Sequence, residues 1–178
     1  MTTKRSKTVA LPDLSNTHKT LLTLNSRDLP IYKDAVPGIP GIDVQPLFLD
    51  THNGVWVLRV VFQPGVLLPT HYHTGSVHLW TLSGKWNYVE YPDQPQTAGS
   101  YLFEPGSSVH TLSVPADNKE PTETLMVVNG SNINFDQDGN YLGMLDANSI
   151  VLIIDHLIRE RGLEPAKYIT PPQPRYTR

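Results

Sequence analysis

Apolar residues in this chain come in short runs, and most of the runs alternate or are rich in β-branched and aromatic side chains. Residues 55–62, Val-Trp-Val-Leu-Arg-Val-Val-Phe, read as a strand that Pro64 and Gly65 end. A second strand is predicted over 77–83 and a third over 86–91, with Ser83-Gly84-Lys85 between them as a hairpin turn. Residues 100–103 and 110–114 flank Pro105-Gly106, and 124–128 form the next strand. Ile133-Asn-Phe135 and Tyr141-Leu142 flank a loop containing Asp138-Gly139, which predicts another hairpin. Many short strands at regular spacing imply a sandwich or barrel.

The period changes near the C-terminus. Ile150, Val151, Ile153, Ile154, Leu157 and Ile158 recur at helical spacing. Asp146, Asn148 and Ser149 offer N-cap oxygens, Arg159 and Arg161 suit the last turn, and Gly162 is a stop signal. One amphipathic helix over about 148–161 follows, its stripe packed on a sheet or across a subunit interface. Before the first strong strand, Pro30, Pro37, Pro40 and Pro46 with Gly38 and Gly41 exclude a central strand and predict a covering arm or edge segment. The expected division is an arm over 1–46, a barrel over 47–145, and a helix with an extended tail over 146–178.

Histidines supply the candidate chemistry. His71 and His73 are two apart, so in a strand they share a face and aim at one point. A third imidazole, from His110 on a neighbouring strand, gives the three-ligand, open-sided arrangement of a catalytic metal. Imidazole suits zinc, copper, iron and nickel, so the residue type alone does not choose the ion. His18, His52 and His156 show no comparable spacing.

The two stretches that hold these histidines resemble the two sequence motifs of the cupin family. The first motif is glycine, five residues, His-x-His, a gap, glutamate, six residues and glycine. Gly65, His71 and His73 fit it, His78 stands in the glutamate slot, and Gly84 comes one residue early. In the second motif Gly99, Pro105 and His110 fit, and Ser107 replaces a glycine. The resemblance implies an all-β double-stranded β-helix, a jelly-roll barrel, here with a proline-rich N-terminal arm and a C-terminal helix.

Within the cupins the chain looks most like the dihydroxyacetophenone and acetylacetone dioxygenases. The likeness rests on the His-x-His without its glutamate, on Phe103-Glu104-Pro105, and on the turn Phe135-Asp136-Gln-Asp138-Gly139. It implies Fe(II) held by His71, His73 and His110, and oxidative cleavage of a small ketone with O2. Zinc, nickel or copper would be compatible with a purified sample. The substrate would be an aryl hydroxyketone giving carboxylic acids, or a β-diketone. A non-catalytic metal or small-molecule sensor, and a zinc or manganese isomerase or decarboxylase, are the alternatives. The last kind usually keeps the glutamate that His78 replaces.

Other residues have two readings each. His78 is a fourth ligand, or a pocket residue that meets substrate or water. Glu104 is a solvated carboxylate, or accepts the N–H of a ligand histidine and fixes its ring. Trp80, Tyr101 and Phe103 are plain core, or an apolar pocket for an aryl ring. Arg59, the one charge in its strand, attracts an anionic substrate or pairs at a subunit interface. Neutral histidines alone would leave an Fe(II) centre with two positive charges, which favours an enolate that chelates through two oxygens.

Composition narrows the rest. A chain of 178 residues is one ordinary domain with room for a core. A net charge of −3 gives no footprint for nucleic acid or anionic membrane; Lys4, Arg5 and Lys7 are a small solvated cluster. There are no cysteines, which excludes disulfides and thiolate sites. No signal-peptide core or membrane span is evident, so a cytoplasmic location is the default expectation. The arm and helix exceed a minimal barrel and predict a homodimer or homotetramer.

Overall fold

The computed structural model describes residues 22–171. The basic cluster at Lys4, Arg5 and Lys7, His18, and the tail from 172 onward lie outside the described residues. The strands are β1 (Ile42–Asp50), β2 (Val55–Phe62), β3 (Thr70–His73), β4 (Val77–Ser83), β5 (Lys85–Tyr88), β6 (Gln96–Thr97), β7 (Tyr101–Glu104), β8 (Val109–His110), β9 (Leu112–Ser113), β10 (Thr122–Asn129), β11 (Asn132–Phe135) and β12 (Tyr141–Leu145). One helix, α1 (Ala147–Arg161), follows.

The strands form a five-stranded sheet in the order β1-β2-β10-β4-β7, a four-stranded sheet β12-β11-β3-β8, and a small sheet β6-β5-β9. All the strand pairs are antiparallel. Most neighbours in the sheets are distant in sequence, as in a jelly roll. This is an all-β jelly-roll fold.

Strict alternation in β2 sends Trp56, Leu58, Val60 and Phe62 inward and Val57, Arg59 and Val61 outward. Val77 and Leu79 of β4 and Val128 of β10 join the same core. The expected arm is shorter than its proline pattern suggests, because β1 already begins at Ile42 and runs through Pro46. Pro46 is accommodated because β1 is the edge strand and its register shifts between Pro46 and Phe48. The arm and the chain after the helix cover that edge: Tyr32 bridges Val44, and Ile169 bridges Phe48. Buried Gln45 anchors the arm through its Nε2, which donates to Ser26 O and Leu29 O at 2.9 Å each.

The hairpin expected at Ser83-Gly84-Lys85 does not form. β4 pairs with β10 and β7, whereas β5 pairs with β6 and β9. Gly84, at φ +74°, is the corner where the chain leaves one sheet for another, pressed against Thr122. The hairpin at 132–145 does form, as β11 and β12. Helix α1 begins at the N-cap Asp146, which makes a reciprocal capping box with Ser149, and ends at left-handed Gly162. Its Ala147, Ile150, Ile154 and Leu157 are buried in the chain's own core. Among the described residues no helix is long and apolar enough to cross a membrane.

Candidate metal centre

Alternation in the short strand β3 buries His71 and His73 and turns Tyr72 outward. His71 is the direct cross-strand partner of His110 in β8, so the three rings arise from two paired strands. Their centroids are 4.7–5.0 Å apart, and each residue is at most 5% exposed. One nitrogen from each histidine lies within 4.8 Å of the others. His71 Nδ1 sits 3.0 Å from the carbonyl of Pro69. A carbonyl only accepts, so Nδ1 carries the proton and Nε2 is left with a free lone pair. Burial lowers the His71 pKa to about 4, which keeps the ring neutral and able to ligate.

The loop into β8 is shaped by Ser107. It takes the left-handed backbone, φ 74°, at the position where the second cupin motif has glycine.

Glu104 is brought to the trio, in a different way from that expected. Its Oε2 lies 3.0 Å from His73 Nε2 and 3.3 Å from His110 Nε2. An orienting carboxylate would hold the nitrogen turned away from a metal. Glu104 instead meets the Nε2 edges, and neither Oε2 nor His110 Nε2 has a well-aligned hydrogen-bond partner. Burial would raise the Glu104 pKa, but the contacts with His110 and His73 outweigh it and hold the carboxyl far below the usual range.

Tyr88 has no counterpart in the sequence reading. Its hydroxyl donates to Glu104 Oε1, and its ring stacks on His110 at 3.9 Å and 17°. Burial and the adjacent Glu104 push its pKa well above 10. The available signal was parity, since Trp86 and Tyr88 share the buried face of β5. Asn132 and Asn134 were also missed. They are the cross-strand partners of His73 and His71, on the same cavity wall. Their Asn-x-Asn alternation marks one polar face of a strand.

A cavity of about 530 Å³ opens beside the histidines. His71, His73, Glu104, Tyr88, Asn132 and Asn134 supply polar groups in its wall, and Trp56, Leu58, Phe62, Leu79, Met126 and Ile153 belong to its apolar lining. Among the described residues no lysine or arginine lines it.

The structure does not bring the other candidates there. His78 lies on the opposite face of β4 from Val77 and Leu79, which line the cavity. Its Nδ1 is 2.8 Å from the Tyr101 hydroxyl, and its ring packs near Trp80 and Phe103. Parity explains this: Tyr101 and Phe103 point outward on β7 because Glu104 points inward. The pocket placement expected for His78, Trp80, Tyr101 and Phe103 is therefore corrected to an outer-face cluster. Arg59 is corrected likewise; it pairs with Glu123 at 2.5 Å on the outer face of β2 and β10 within the chain.

Residues 32–132 match the family described as the ChrR cupin-like domain. No curated protein matches the chain. A protein of unknown function with a cupin-like fold from Ralstonia eutropha JMP134 is 45% identical at a TM-score of 0.84, with 92% of this chain and 99% of that one covered. An RmlC-like cupin from the same organism is 23% identical at 0.75, covering 83% and 93%. An acetylacetone dioxygenase from Acinetobacter johnsonii is 15% identical at 0.63, covering 82% and 97%, a likeness of fold.

Proposed function

The chain belongs to the family of the ChrR cupin-like domain, and from that premise and its site we propose that it is an Fe(II)-dependent dioxygenase cleaving a carbon–carbon bond beside a ketone. One observation carries the reading: a buried trio of histidine nitrogens, two of whose residues line the wall, adjoins a largely apolar cavity in which no lysine or arginine is found among the described residues. The donor set fits a divalent transition metal, since all three ligands are imidazoles and His71 is held neutral with Nε2 bare. His71, His73 and His110 would hold the ion. When bound, it would supply a Lewis acid for two substrate oxygens and an open position for O2 chemistry.

The chain's own groups define the rest. Glu104, ionised, would offset one of the metal's positive charges from beside His73 and His110. Tyr88 occupies Oε1 and keeps the carboxylate from turning. With no lysine or arginine in the wall among the described residues, a metal held at the histidine end would be the favourable place for a substrate's negative charge. The remainder of the molecule meets hydrocarbon. That supports a ketone with two neighbouring oxygens at one end and an apolar body, excluding water as it binds.

Of the two ketone classes, the cavity favours the β-diketone. An aryl hydroxyketone of the dihydroxyacetophenone kind would carry a phenolic hydroxyl into the apolar part, where an alkyl β-diketone would carry only hydrocarbon. The resemblance in fold to an acetylacetone dioxygenase is consistent with this. The alternative is a metal- or small-molecule-binding cupin without catalysis. Assembly as a homodimer or homotetramer belongs to the same proposal, because Trp80, Leu82, Tyr101 and Phe103 expose apolar surface on adjacent outer strands.

The test is metal analysis followed by oxygen uptake. Iron-loaded protein is expected to consume O2 with alkyl β-diketones and more slowly with hydroxyacetophenones. Bound metal without oxygen uptake for either class would favour the binding cupin.

A further inference from the structure

We infer that Asn132 is the positioning residue for His73, its Oδ1 accepting the Nδ1–H of that ring. The two residues are direct partners in the β3–β11 ladder. Side chains so paired stand together on one face of a sheet, with Cβ atoms about 4.5–5.5 Å apart. Both line the cavity, so the face is the inner one.

His73 Nδ1 and Asn132 Oδ1 are each buried and each without a hydrogen-bond partner. Buried polar atoms are nearly always paired, and orphans call for a physical reason. Neither atom is exposed to solvent, and the strand register makes their residues neighbours. One is a ring nitrogen that can donate, the other an amide oxygen that can only accept.

His71 shows the completed form of the arrangement. Its Nδ1–H is fixed on Pro69 O, and that bond frees Nε2. Asn134, the cross-strand partner of His71, donates its Nδ2 to Gly143 O instead at 3.5 Å. His73 turns its Nε2 toward Glu104 and the trio. To give that nitrogen's lone pair to a metal, the ring must carry its proton on Nδ1, where Asn132 is the adjacent acceptor.

The inference rests on the metal site proposed above, and the experiment separates the two. Zinc is titrated into the full chain against a competing chelator, and the imidazole nitrogens of the zinc-loaded, ¹⁵N-labelled protein are followed by NMR. Asn132→Leu is expected to weaken zinc about 10–100-fold, the usual effect of losing such a partner, and to expose the His73 Nδ1–H to exchange. Asn132→Asp is expected to keep the affinity and shift that proton further downfield, because a carboxylate is the stronger acceptor. It decides the matter even if Asn132→Leu does not fold. Wild type that binds zinc while both variants leave the affinity and the proton unchanged overturns this inference alone. Wild type that takes up no zinc overturns the metal site, and this inference with it.

Discussion

The hydroxyl of Tyr88 donates a hydrogen bond to Oε1 of Glu104, and both groups are buried. The bond ties β5 to the end of β7 and leaves Oε2 facing the histidines. Tyr88→Phe removes the donor and keeps the ring stacked on His110. We expect a loss of about 1–3 kcal/mol in denaturant unfolding of the metal-free protein, the range for stranding a buried acceptor. An unchanged midpoint would show that Glu104 does not depend on this donor.

Acid should destabilise the metal-free protein before it reaches the carboxylate range. Burial lowers the His71 pKa from 6.5 to about 4. Between those values the unfolded chain binds a proton that the folded chain refuses. The stability is fully present above about pH 6.5 and is lost as the pH falls towards 4, by about 3 kcal/mol for this group. Unfolding free energies measured from pH 7 to pH 4 check the slope, and His71→Gln should flatten it.

His78 serves as an internal control for the location of the site. His78→Ala should leave metal content at the wild-type level, whereas His110→Ala should abolish it with the fold intact by circular dichroism. Metal loss in His78→Ala would place this residue at the centre, against its outer-face position.

Gly84→Ala tests the corner between two sheets. An added Cβ would meet Thr122 Oγ1 at 2.6 Å and Thr122 Cα at 2.7 Å, on a backbone at φ +74°. A loss of about 3 kcal/mol or more is expected in thermal or denaturant unfolding. A near-neutral result would mean that the corner relaxes easily.

Much of this was legible because strand alternation and motif spacing are local. The shared face of His71 and His73, the β11–β12 hairpin and the capped helix follow from short-range pattern, and His110 was supplied by the spacing of the second motif. What was misread depends on which face of a strand turns inward, or on which strand lies alongside. His78, Trp80, Tyr101 and Phe103 have the right chemistry for a pocket, but the inward parity of β4 belongs to Val77 and Leu79 and that of β7 to Glu104. Gly84 looks like a hairpin turn until β5 is seen to pair with β9, more than twenty residues on. Tyr88, Asn132 and Asn134 gain their meaning from non-local neighbours, which no run of residues reveals.

The central claim is that this site joins O2 to a ketone and breaks the carbon chain beside the carbonyl. The direct measurement is mass analysis of the products formed from an alkyl β-diketone by iron-loaded protein under ¹⁸O₂. The account predicts two cleavage products, each carrying one oxygen atom from O2, and none from protein lacking His110. Products labelled only from water, or no oxygen consumption by protein with its iron fully bound, would contradict it.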